Sequence, residues 1–122
     1  MGNYSKGASY ERELVALLKN RGYCAVRADG SGRARMEQPD LLAGNGARFL
    51  GIECKYSGTD YKTIGMEEVN CLVKFCKNFG CTAVLAFRFP YSEWKFKIIN
   101  DYVTSNVSVK KSDELPVMDG IV

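Results

Sequence analysis

Apolar positions change period several times along the chain, and each change marks an element. Leu14, Leu17 and Leu18 recur at helical spacing. They predict an amphipathic helix over residues 9–21, opened by Ser9 as cap and closed by Gly22. Residues 1–8, with Gly2, Asn3, Ser5, Lys6 and Gly7, read as a flexible lead. In residues 23–28, Cys24 and Val26 alternate against Tyr23, Ala25 and Arg27, as in a strand. Residues 29–38 form a polar loop, and two apolar, β-prone runs then flank Asn45-Gly46, the strongest short hairpin signal. Residues 56–63 read as a second polar loop. A helix over residues 65–79 follows, ended by Gly80, with Val69, Leu72, Val73 and Cys76 as one stripe and Cys71, Phe75 and Phe79 as another. Residues 82–89 are almost continuously apolar, as in a strand covered on both faces. After a turn at residues 90–93, residues 94–99 return as a strand with Lys95 and Lys97 on one face, read as solvated. Beyond residue 100 the pattern fades to one short edge strand, from Tyr102, Val103, Val107 and Val109, and an expected mobile end. This order predicts a single α/β domain with a mixed sheet flanked by helices.

The hairpin places chemistry on one face. With Asn45 and Gly46 as the two turn residues, both at positive φ, Gly44 faces Ala47 and Asp40 lies opposite Gly51. Side chains repeat every second residue, so Gly51, Glu53 and Lys55 share the face of Asp40, while Leu41, Leu50, Ile52 and Cys54 pack beneath. Gly51 is expected to leave space where the charged groups meet. Diagonal carboxylates on neighbouring strands stand roughly 7–8 Å apart at Cα, a spacing that suits Mg²⁺, with Mn²⁺ as substitute, binding oxygen at about 2.0–2.1 Å. Lys55 beside them would orient or deprotonate a water, or neutralise charge on a phosphate. An ordinary surface hairpin is the alternative, and it leaves unexplained why Asp40 sits so near an apolar core. Glu11 lies at the edge of the Leu14 and Leu18 stripe, whereas Arg12 points away. A carboxylate in a first helical turn on that side is either stabilised by the helix N-terminus or part of a site.

Composition narrows the chemistry. The 122 residues, 46% hydrophobic and 25% charged, suit one globular domain. Net charge is +3, and residues 1–35 hold seven basic residues against three acidic ones. That surplus favours an anionic partner near the N-terminal third, although on charge alone a solvated face is the better reading. No histidine is present, which removes Ser-His-Asp triads, Cys-His pairs and His-metal nucleases. Five cysteines without CxxC spacing make a zinc site a poor reading; four read as small core hydrophobes in a reducing compartment. With neither a signal pattern nor a bilayer-length apolar run, a cytoplasmic protein without membrane contact is expected. The second helix carries a wider apolar arc than one sheet face covers, pointing to a homodimer interface, unless both phenylalanines pack within the monomer.

Pro39-Asp40 with Glu53-Cys54-Lys55 resembles the PD(D/E)xK signature of restriction-endonuclease-like nucleases. Gly7, Glu11-Arg12-Glu13-Leu14, Gly30-Ser31-Gly32, residues 39–46, Ile52-Glu53-Cys54-Lys55, Phe75 and Phe79-Gly80 together resemble the archaeal Holliday junction resolvase family, Hjc, in order from about residue 7 to 96. The resemblance implies an αβββαβ core and a homodimer that nicks opposed strands of four-way DNA junctions with Mg²⁺, leaving 5′-phosphates, in recombination and repair. It implies Asp40 and Glu53 as metal ligands, Glu11 as a third acidic member of the active site that binds the metal directly or through water, Lys55 and Ser31 as catalytic, and Arg12 and Arg27 on DNA. Phe75, Phe79 and Cys71 fall at its dimer interface. Arg33 and Arg35 in the glycine-bearing loop, and Lys62, are expected on phosphates. No small-molecule cofactor beyond the metal is implied. Other readings are a PD(D/E)xK nuclease for flaps, ends or damaged duplex, a catalytically silent DNA-binding module, and, more remotely, a cysteine redox or metal-scaffold protein.

Overall fold

The strand alternation of residues 41–56 builds the middle of a sheet onto which both long helices pack. The computed structural model describes residues 2–28 and 38–121. Helix α1 (Gly2–Lys19) precedes β1 (Cys24–Arg27), β2 (Leu41–Gly44), β3 (Phe49–Tyr56) and β4 (Tyr61–Ile64). Helix α2 (Met66–Phe79) leads to β5 (Thr82–Arg88), β6 (Lys95–Ile99), β7 (Val107–Lys110) and the short α3 (Met118–Ile121). Five strands lie in the order β1-β2-β3-β5-β6. Among the described strands only the central β3–β5 pair is parallel, because α2 carries the chain back across the sheet between them. The expected mixed sheet and αβββαβ core are present.

Two apolar layers result. One face meets α1 through Leu14 and Leu18, which close over Ala25, Leu41, Ala43, Leu50, Ile52 and Ala86. The other meets α2 through Val69, Leu72, Val73 and Cys76, the stripe read from spacing, over Ala83, Leu85 and Phe87. Gly80 at φ 94° ends α2, its N–H bonded to the Cys76 carbonyl.

Several expectations change. Helix α1 begins at Gly2 rather than at a Ser9 cap, so the supposed lead is helical and Glu11 lies well inside the helix, away from its N-terminus. The polar loop over residues 56–63 contains β4, which pairs with β7, Tyr61 opposite Lys110 and Ile64 opposite Val107. That pairing also orders the tail, which local pattern left mobile: the Asn70 side chain bonds both the N–H and the carbonyl of Val103, and Asn106 Oδ1 accepts from the first amide of α2. Lys95 is not solvated; its ammonium donates to the Lys111 and Asp113 carbonyls. Of the cysteines, all free, only Cys76 is buried; Cys54, Cys71 and Cys81 are half-buried and Cys24 is exposed.

The hairpin turn differs too. Gly44 pairs with Phe49, not Ala47, so residues 45–48 form a four-residue loop. Gly46 has φ 93°, while Asn45 is not left-handed. Its carboxamide instead accepts from Ala47 N at 2.9 Å and Arg48 N at 2.6 Å, an Asx arrangement that stabilises the wider turn. Register therefore slides by two residues. Leu41 pairs with Ile52, and one further step sets Asp40 opposite Glu53 rather than Gly51. An even slide preserves sidedness, so Asp40, Glu53 and Lys55 still share a face. Gly51 serves packing, not space among charges: a Cβ there would meet Cys76 Sγ at 2.6 Å, so the glycine lets α2 approach β3.

Candidate active site

Asp40 stands just before β2, and its Oδ2 accepts the Cys54 backbone N–H at 2.9 Å. That bond fixes the carboxylate against the adjacent strand. Glu53 and Lys55 follow on β3, with the Lys55 ammonium 3.8 Å from Glu53 Oε2. The ammonium is closer still, 2.5 Å, to Oε2 of Glu68 in the first turn of α2. Glu53 and Glu68 also share a hydrogen bond. All four side chains are partly or largely withdrawn from solvent.

Burial sets the electrostatics. It pushes the Asp40 carboxyl up to about 6, helped by the Glu11 and Glu68 charges and opposed by the Cys54 N–H and Lys55. Burial, followed by the Asp40 charge, takes Glu53 up to about 9, against the pull of Lys55. Burial would lower the Lys55 ammonium, but the Glu68 hydrogen bond and the surrounding carboxylates outweigh it and leave it raised. Lys55 is therefore a stable cation, suited to donating to a water or a phosphate rather than to removing a proton. Burial would raise Glu68, yet the bonds from Lys55 and Glu53 hold it below the ordinary value.

These groups suit a hard cation. Among the described residues, no three Asp, Glu, Cys or His side chains converge into an ion-holding cluster. Mg²⁺ does not need one, since it keeps several waters and takes one or two carboxylates plus phosphate oxygens. The Asp40 and Glu53 pair offers oxygen ligands alone, and its drift toward protonation is what buried carboxylates short of positive charge do.

Other expected residues fall into four groups. Glu11 is near enough to raise Asp40, but its Oε1 is held by Arg27 Nε at 2.9 Å. Arg12 is exposed, and Lys62 is half-buried on β4, where its charge helps to lower Glu68. Ser31, Arg33 and Arg35 lie outside the described residues. Phe75 and Phe79 stack at 5.3 Å, with Phe79 60% exposed and Cys71 half-buried beside them.

Glu68 was missed, though a signal existed: it lies one turn before Leu72 on the buried stripe, where a carboxylate needs a partner. Glu13 and Arg88 were missed as well. Glu13 Oε1 accepts from Trp94 Nε1 at 2.9 Å and Arg88 Nε at 3.3 Å, tying α1 to the β5–β6 turn.

The sequence profile of the family described as "Archaeal holliday junction resolvase (hjc)" matches residues 2–120. The chain belongs to this family. Its Archaeoglobus fulgidus relative, a crossover junction endodeoxyribonuclease Hjc, is 38% identical over 92 residues, spanning 75% of this chain and 68% of that protein. The Methanocaldococcus jannaschii Hjc is 37% identical over 86 residues, 70% of this chain and 61% of that protein. The chain thus spans about two thirds of the length of these relatives. The solved structure of Archaeoglobus fulgidus Hjc, described as a Holliday junction resolvase, superposes with a TM-score of 0.76 at 31% identity, covering 88% of this chain and 85% of that one. In this chain the shared fold sets Asp40, Glu53 and Lys55 on one face of the mixed sheet. No described helix is long and apolar enough to cross a membrane.

Proposed function

We propose that this chain is a Mg²⁺-dependent endonuclease that resolves four-way DNA junctions by paired nicks, acting as a homodimer. One observation carries the reading: Asp40, Glu53 and Lys55 share one sheet face, with Asp40 locked by the Cys54 amide. Asp40 and Glu53 would hold the cation, which when bound polarises the scissile phosphodiester and supplies a nucleophile at neutral pH. Lys55 donates hydrogen bonds toward the attacking water or the phosphate oxygens, where negative charge grows during displacement. Glu11 sets the field at Asp40 and, through its bond to Arg27, holds that arginine at the site margin. Arg12, Arg27, Arg33, Arg35 and Lys62 would contact phosphates, so recognition would rest on junction shape and charge. Ser31 would contribute to cleavage, as the family resemblance implies.

The dimer reading has its own support. Val26 is 59% exposed, Phe49 49% and Phe79 60%, and with Leu42, Gly44 and Cys81 they line a shallow apolar depression of about 250 Å³. Two copies joined about a two-fold axis through such a face would carry equivalent sites to opposed strands.

The test is cleavage of a labelled immobile four-way junction with Mg²⁺, beside linear duplex and flap substrates. Wild type should cut the junction preferentially, and Asp40→Ala or Glu53→Ala should reduce cleavage by about 10³-fold or more while still binding the junction. Equal cleavage by both variants would remove the ligand assignment. Preference for flaps or duplex would keep the chemistry and replace the substrate.

A further inference from the structure

We propose that Glu68 is a positioning residue that holds the Lys55 ammonium away from Glu53 and aims it at the reacting phosphate, an inference that rests on the hydrolytic reading of this corner. Lysine is a compact charge on a flexible four-carbon stem, so its place is set by whatever accepts its protons. Two carboxylates lie within reach, Glu68 at 2.5 Å and Glu53 at 3.8 Å, and the nearer one takes it. The Glu68 bond is short and charge-assisted, in a setting where Lys55 is 22% exposed and Glu68 33%, so it is shielded from the solvent that weakens surface pairs.

Without Glu68 the nearest partner for the ammonium would be Glu53, already assigned to a cation. Lysine and cation would then compete for one carboxylate. Helix α2 resolves that conflict by presenting its own acid from the first turn. The ammonium has three donors and spends one on Glu68, leaving others for a water or a phosphate oxygen. Because α2 is anchored by Val69, Leu72, Val73 and Cys76 in the core, the position of Lys55 is fixed by packing.

The experiment compares wild type with Glu68→Gln, which keeps size and removes charge. The first readout is the Lys55 ammonium ¹H–¹⁵N NMR signal in metal-free protein. Wild type should show a slowly exchanging, hydrogen-bonded ammonium. In Glu68→Gln that signal should vanish while the backbone amide spectrum is retained. The second is single-turnover junction cleavage, which should fall about 10–100-fold, with junction affinity measured without divalent cation staying within about threefold. Glu68→Asp, one methylene shorter, should recover part of the rate. An unchanged ammonium signal or an unchanged rate overturns the proposal. So does an equal loss in affinity and rate, since that would make Glu68 a substrate-binding residue. A wild type that cleaves no junction, with the ammonium signal still dependent on Glu68, overturns the nuclease reading and leaves the positioning of Lys55 intact.

Discussion

The two faces of the central sheet are built from the same strands and end in different states. On the α1 side, Leu14 and Leu18 are 0% and 1% exposed, and the covering extends from β1 across to β6 with help from Met118 and Ile121 of α3. On the α2 side, the helix covers β3, β5 and β6 but not the outward residues of β1 and β2, where Val26 remains 59% exposed. The closed face makes stability. The half-open face carries both the charged corner at Asp40, Glu53, Lys55 and Glu68 and the uncovered apolar surface. A sheet with unequal cover can reserve one side for partners because the other already supplies a core.

The sharpest way to break this comparison is to cut into each face in turn. Leu14→Ala on the closed face should destabilise the protein by about 2–5 kcal/mol, read by urea unfolding, and should leave the rate per folded molecule near wild type. Lys55→Ala in the charged corner should do the reverse, lowering junction cleavage by about 10²–10³-fold with little change in unfolding midpoint. A Lys55→Ala protein that cleaved normally would detach the corner from catalysis.

Phe79→Glu tests the uncovered apolar surface. It should weaken self-association by tenfold or more, about 1.4 kcal/mol, measured by analytical ultracentrifugation, while the melting temperature at a concentration where both proteins are monomers stays close to wild type. A monomeric wild type would make that face something other than a homodimer surface.

Acidity sharpens the contrast further. Asp40 and Glu53 carry folded pKa values of about 6 and about 9, above their ordinary range. Below about pH 4 both are protonated folded or unfolded. At higher pH the folded protein retains protons that the unfolded chain releases, so metal-free stability should fall as pH rises toward 9. Denaturation at pH 5, 7 and 9 in a chelator should show that decline, and Asp40→Asn with Glu53→Gln should flatten it. Mg²⁺ should recover most stability at the alkaline end, where no proton competes. The smallest effect belongs to Asn45→Ala, which removes the acceptor for two turn amides and should cost about 1 kcal/mol without altering cleavage.

What the sequence disclosed follows from the range of the forces involved. The stripe of Val69, Leu72, Val73 and Cys76 needs only one helix to be legible, and the shared face of Asp40, Glu53 and Lys55 needs only a local hairpin. The β4–β7 ribbon joins Tyr61 to Lys110, and no local pattern announces so distant a pairing. Helix α1 extends back to Gly2 through Gly7 and Ser5, residues whose own preferences oppose a helix there. Glu68 escaped because it sits outside the signature, and the signature drew attention to β2 and β3. The proposed subunit surface was legible only in part: Phe75 and Phe79 mark α2, whereas Val26, Leu42 and Phe49 line a depression with Phe79 only after the strands are placed side by side.

The loop at residues 45–48 has a consequence for how such a signature can change over evolutionary time. Sheet sidedness depends on whether the slide between strands is odd or even, not on its size. Losing or gaining a pair of residues at the bend would keep the acids and the lysine on one side, whereas a single-residue slip would send one partner through to the oily side. Changes that shift the register should therefore come in steps of two, and single-residue length changes should survive where the loop itself or a bulge absorbs them.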